Sequence, residues 1–144
     1  MQISQLLRHK GHDVATIDGA ETVRSALALL AERGVGALVV SSDGRRVEGI
    51  VSERDVARGL NDRGAELLTD PVSSLMTAEV HTCPPGARVT DLAQTMTDHR
   101  VRHVPVVDDD GVLIGIVSIG DVVKARLDEL EDERKHLQDY IQTA

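Results

Sequence analysis

Apolar positions along this chain change rhythm several times, and the whole series of changes comes round twice. Residues 14–17 form a short apolar run that reads as a strand. Asp18-Gly19-Ala20-Glu21 follows in the form of a helix start, with an acid three residues after the cap. Val23, Ala26, Leu27 and Leu30 then lie at helical spacing until Gly34 stops the helix. Runs 37–40 and 47–51 predict two strands joined through Ser-Asp-Gly-Arg-Arg, and a second helix begins after Ser52. The second half repeats the order: a strand over 80–82, a helix over 88–99, strands over 103–107 and 112–117 around an Asp-Asp-Gly turn, and a helix after Ser118. Each half therefore predicts β-α-β-β-α, an α+β fold. The chain divides into a first motif (1–62), a linker (63–75) marked by Gly64, Thr69-Asp70-Pro71 and Ser73-Ser74, a second motif (76–126) and a tail (127–144).

The repetition extends to letters. Gly49-Ile50-Val51-Ser52-Glu53-Arg54-Asp55-Val56 returns 66 positions later as Gly115-Ile116-Val117-Ser118-Ile119-Gly120-Asp121-Val122. The same ungapped offset pairs Val14 with Val80, Thr16 with Thr82, Val23 with Val89, Val35 with Val101 and Val40 with Val106. Internal repetition of this length makes the chain a tandem duplication of one supersecondary unit. Polar residues repeated just after a buried strand point to two related sites.

The tail has a different pattern. Val123, Leu127, Leu130, Arg134, Leu137 and Ile141 follow alternating steps of four and three, a heptad-like stripe on an otherwise charged, amphipathic helix. Such a stripe either packs on its own module or docks on a second subunit, and the second is favoured.

Composition narrows the function. The 144 residues are 41% hydrophobic and 28% charged, as in a globular chain. No run of about eighteen apolar residues predicts a membrane span, and the N-terminus lacks a signal segment. Cys83 stands alone, which fits a reducing cytoplasm. The net charge of −8 argues against a nucleic-acid partner, and with Tyr140 as the one aromatic there is little to stack on a base. Arginines nevertheless gather at Arg54, Arg58 and Arg63 and again at Arg100 and Arg102, a distribution suited to a small anion.

The repeated motif has its own chemistry. Gly49 and Gly115 permit close approach of another backbone or a ligand. Ser52 and Ser118 stand where a strand gives way to a helix, whose first N–H groups favour a phosphate or hydroxyl. Ser-x-x-Asp at this point is also close to a capping box, in which serine and acid satisfy one another's backbone N–H. Arg54 and Arg58, four apart, share a helix face and can reach an anion, whereas the second copy has Gly120 in place of Arg54. Conversely, Arg102-His103 replaces Gly36-Ala37. This asymmetry favours one good site over two equal ones. Neither His9 and His12 nor His99 and His103 are arranged as metal ligands, and Cys83 has no evident base, so no metal or catalytic centre is expected.

These motifs, together with Val104-Pro105-Val106-Val107-Asp108 and the lead-in Val72-Ser73-Ser74-Leu75-Met76, resemble the cystathionine-β-synthase (CBS) domain family over nearly the whole chain. The resemblance implies two motifs packed through their sheets as one pseudo-twofold module. It also implies clefts that bind AMP, ADP, ATP, NAD or S-adenosylmethionine as a regulatory ligand, without catalysis. It assigns ribose binding to Asp55 and Asp121, and phosphate or hydroxyl contacts to Ser52, Arg54, Arg58, Ser118, Arg102 and His103. An adenine pocket would be built from Ile17, Val35, Ala37, Ile50, Val80, Val101, Pro105 and Ile116. The resulting expectation is a stand-alone cytoplasmic sensor that forms a flat homodimer and signals to a separate effector protein. The competing expectation is a ligand-independent interaction module.

Overall fold

The computed structural model describes residues 1–143. Helix α1 (Ile3–Lys10) opens the chain, ahead of any element anticipated from the sequence. The first half then holds β1 (Thr16–Ile17), α2 (Val23–Arg33), β2 (Ala37–Val40), β3 (Gly49–Ser52) and α3 (Glu53–Arg63). The second holds α4 (Val89–His99), β4 (His103–Val107), β5 (Leu113–Ser118) and α5 (Ile119–Thr143). In one sheet β1 lies parallel to β2 and β2 antiparallel to β3; in the other β4 and β5 pair antiparallel. Ala37 faces Ser52 across the first ladder as His103 faces Ser118 across the second, so the duplicated registers match.

Departures from the predicted elements have local causes. Helix α2 starts after Thr22, whose Oγ1 accepts from the Ser25 N–H at 3.1 Å, and not at Asp18. Asp18 instead folds a turn by accepting from the Ala20 N–H at 2.9 Å. The predicted strand over 80–82 is reduced to a single bridge between Cys83 and Val106. In the first half the Val39 N–H donates to Ala15 O at 3.1 Å, but the equivalent residue is Pro105, which has no N–H to offer. One rung is lost and the strand shrinks with it. Strand β3 begins later than 47 because residues 45–46 turn toward the other half, where Arg45 O accepts from the Leu113 N–H at 2.8 Å.

Packing exchanges segments between the halves. Leu67 and Val72, within the predicted linker, are fully buried with Val23, Leu38, Val51 and Val56 in the first core. Two 3₁₀ turns, Gly64–Thr69 and Val72–Ser74, carry them there, so this segment is built into the first half. In return Ile3, Leu6 and Leu7 of α1 enter the second core beside Leu92, Met96, Val104 and Val117. The repeated glycines receive these segments: a Cβ on Gly49 would sit 2.5 Å from Met76 Sδ, and one on Gly115 would sit 2.8 Å from the Leu7 methyls. Each glycine is needed for space.

Helix α5 runs unbroken for 25 residues, so the tail continues the helix that follows Ser118. Val122 and Ala125 are buried, whereas Leu127, Leu137 and Ile141 are 61%, 63% and 72% exposed. The stripe does not fold back on its own half. No helix among the described residues is long and apolar enough to cross a membrane.

Candidate functional site

Strand β3 ends at Ser52, and the change from strand to helix there brings the first set of polar groups together. Asp55 Oδ2 accepts from the Ser52 N–H at 2.9 Å and from the Ser52 hydroxyl at 3.0 Å, while Ser52 Oγ accepts from the Asp55 N–H at 3.2 Å. This is a complete capping box. The Glu53 N–H donates to Gly36 O at 3.0 Å. Much of the donor capacity expected of this helix start is thus used inside the protein, which moves the anion-binding role toward side chains. Asp55 Oδ1 takes no hydrogen bond among the described residues. No buried side-chain oxygen among the described residues is left unpartnered, so Oδ1 reaches the surface. Arg54 and Arg58 are exposed on α3 and join no ion pair among the described residues. Thr77 runs beside this site, exchanging backbone bonds of 2.9 and 3.0 Å with Ile50.

The second copy repeats the frame and changes its surroundings. Asp121 Oδ2 accepts from the Ser118 N–H at 2.8 Å, and Ser118 Oγ accepts from the Asp121 N–H at 3.2 Å. The Ile119 N–H donates to Arg102 O at 2.8 Å, as Glu53 does to Gly36. Here, however, Lys10 Nζ lies 2.6 Å from Asp121 Oδ2 and donates to Ile116 O at 2.8 Å. Burial pushes the Asp121 carboxyl up, but the Lys10 ammonium and the Ser118 N–H outweigh it and hold the pKa below the ordinary value. His12 Nδ1 contacts Ile114 O at 3.1 Å.

His103 stands between the copies. A Cβ on Gly36 would come within 3.3 Å of its ring. Burial and the positive charge of Lys10 lower its pKa, against the opposing pull of Asp121 and Glu53. It is a neutral imidazole at neutral pH. Arg102 is exposed, and its carbonyl is already engaged by Ile119.

The eight residues assigned to an adenine pocket do not form one surface. Ile17 is buried in the first core, and Val101, in the connection between α4 and β4, packs against the second. Ala37 and Pro105 are buried on β2 and β4. Val35 is exposed, while Ile50, Val80 and Ile116 are half-buried. Ile50 therefore lies with Ser52, Asp55 and Thr77 on the first side, and Ile116 lies with Ser118, Asp121 and Lys10 on the second.

Lys10 and Thr77 escaped the sequence reading. The offset of the repeat pairs Lys10 with Met76, and a cation standing where the other copy has a thioether was the available signal. Cys83 is buried, and burial pushes its thiol up to about 11, so it is protonated at neutral pH and a poor nucleophile. His81 and His99 stack with ring centroids 4.2 Å apart. No group of three or more His, Cys, Asp or Glu suited to a metal occurs among the described residues.

Comparison with known proteins agrees with this architecture. The CBS domain family matches residues 4–62 and 72–128. The mitochondrial CBS domain-containing protein CBSX3 of Arabidopsis thaliana is 38% identical over 97% of this chain and 71% of its own length. The crystal structure of a CBS-domain protein from Agrobacterium tumefaciens is 39% identical, with a TM-score of 0.83, and covers 88% of this chain and 99% of that one. A CBS-domain protein from Pyrobaculum aerophilum, solved in complex with AMP, is 30% identical with a TM-score of 0.75 over 84% of this chain and 89% of that one. Two α-β-β-α halves with matched hairpin registers and two Ser-x-x-Asp sites, covered twice by the same family, make this chain a member of the CBS-domain family carrying a tandem CBS pair.

Proposed function

We propose that this CBS pair is a regulatory module that senses an adenosine-containing ligand in the first cleft, with Asp55 accepting from the ribose hydroxyls. The observation that carries the reading is the carboxylate of Asp55. Capping uses Oδ2, and Oδ1 stays at the surface with no hydrogen bond or ion pair among the described residues. Ser52 supplies a second polar contact, and Arg54 and Arg58 lie on the same helix to meet phosphate. Ile50 and Val80 offer half-buried apolar surface for the base. The AMP complex of the Pyrobaculum aerophilum relative supports AMP as the first ligand to try. ADP, ATP, NAD and S-adenosylmethionine share the adenosine moiety and differ in what they bring to the arginines.

The module works as a homodimer in the reducing cytoplasm and hands its signal to a separate effector protein. Support for the dimer comes from α5, where Val123, Leu127, Leu130, Leu137 and Ile141 leave apolar side chains in solvent. Burial of each is worth about 1.5–3 kcal/mol, so a second copy is a favourable cover. The same stripe supports the competing reading, a ligand-independent interaction module that works through its tail alone. A thermal-shift panel of the five ligands separates the two. A true ligand at a hundred times its dissociation constant adds about 2.7 kcal/mol of stability. A flat response to all five favours the interaction module.

A further inference from the structure

The two Ser-x-x-Asp sites share a frame, yet the segments running past them differ at one telling position. On the first side Met76 turns its thioether under Gly49, and Thr77 closes backbone bonds to Ile50. On the second side Leu7 takes the place under Gly115, and the segment ends at Lys10, the last residue of α1. Its ammonium reaches the Ile116 carbonyl at 2.8 Å and the Asp121 carboxylate at 2.6 Å. Helix α1 is anchored by Ile3 and Leu7, both fully buried, and the Gly11 N–H donates back to Leu7 O at 2.8 Å. Lys10 is therefore presented to Asp121 by a fixed element, and both side chains are less than one-third exposed.

We propose that Lys10 is an internal stopper of the second cleft, which makes this duplicated module a one-site sensor. The idea rests on the reading of Asp55 as the ribose acceptor of the first cleft. A ribose diol approaching Asp121 must displace the ammonium from a carboxylate and a carbonyl at once, whereas Asp55 faces no such competitor. An affinity seen through an intramolecular competitor falls by the fraction of molecules in which the competitor has let go. A tenfold or greater loss at the second cleft needs only about 1.4 kcal/mol in favour of the closed form.

Calorimetric titration of the full chain with AMP tests this, comparing the natural protein with Lys10→Met, Lys10→Arg and Lys10→Met/Asp121→Ala. Methionine keeps the length and flexibility of the lysine stem and removes its charge. The stopper predicts one AMP per chain for the natural protein and for Lys10→Arg, two for Lys10→Met, and one again for the double variant. Two sites in the natural protein, one site in Lys10→Met, or weaker AMP binding in Lys10→Met each overturn it, the last because lysine would then be serving the ligand. A single site in all four proteins overturns the stopper and leaves the first-cleft reading standing. No binding in any of them overturns both.

Discussion

Capping of α3 uses one oxygen of Asp55 and leaves the other at the surface, where the proposed ribose contact would be made. Its neighbours have no such double duty. Arg54 and Arg58 are exposed, and their removal should leave folding nearly unchanged. Arg54→Ala and Arg58→Ala should each weaken AMP by roughly tenfold or more while hardly changing adenosine, because only phosphate uses a charge-assisted contact worth about 1.5–3 kcal/mol. Equal losses for both ligands, read by calorimetry, would show that the arginines act through the fold. His103 is the residue with a pH signature. Its folded pKa lies below the ordinary 6.5, with burial and Lys10 lowering it and Asp121 and Glu53 opposing. The stability it contributes is complete above pH 6.5 and is lost as pH falls toward the folded value, because the unfolded chain binds the proton first. Urea midpoints taken at pH 7.5 and 5.5 should therefore drop more for the natural protein than for His103→Gln. The Ser-Asp capping frame was legible in the sequence because caps are local, whereas the Lys10–Asp121 pair joins residues far apart in the chain and needed the fold to be seen.

At the scale of elements, the duplicated helices end differently. Helix α2 stops at Gly34 with φ 64°, a left-handed cap that glycine adopts freely. The equivalent residue after α4 is Arg100, held at φ 55°, the one non-glycine residue with positive φ among those described. Left-handed backbone costs a side-chain-bearing residue about 1–2 kcal/mol, while glycine gives back part of that through its freer unfolded chain. Arg100→Gly should accordingly raise stability by about 0.5–1 kcal/mol, visible as a higher melting temperature with unchanged nucleotide affinity. The helices and hairpins were readable because their apolar periods and turn residues are local signals. The strand expected over 80–82 failed because its partner's Pro105 has no N–H, a cross-strand fact that no periodicity within 80–82 contains. Helix α1 carried Ile3, Leu6 and Leu7 at helical spacing, but its role in the second core lies nearly the length of the chain away.

The whole molecule is two halves that trade segments, with α1 completing the second core and residues 67–76 completing the first. Such exchange ties the packing of each half to a segment of the other. The apolar stripe of α5 extends beyond that exchange. Ala125 is buried in the second core, so a clean deletion of the stripe begins after Arg126. The shortened chain should stay folded and bind AMP as before, but shift toward monomer in light scattering. A shortened chain that keeps the dimer mass would place the subunit contact elsewhere and leave the stripe to an effector protein. Titrating AMP into the natural protein and into Asp55→Glu asks whether the first cleft reads adenosine through Asp55. Glutamate suits a capping box, so the variant should melt at nearly the same temperature, while its longer carboxylate misplaces the ribose contact. AMP should bind the natural protein saturably and bind Asp55→Glu at least tenfold more weakly. Equal affinity in the two proteins, or no AMP binding to the natural one, would contradict it.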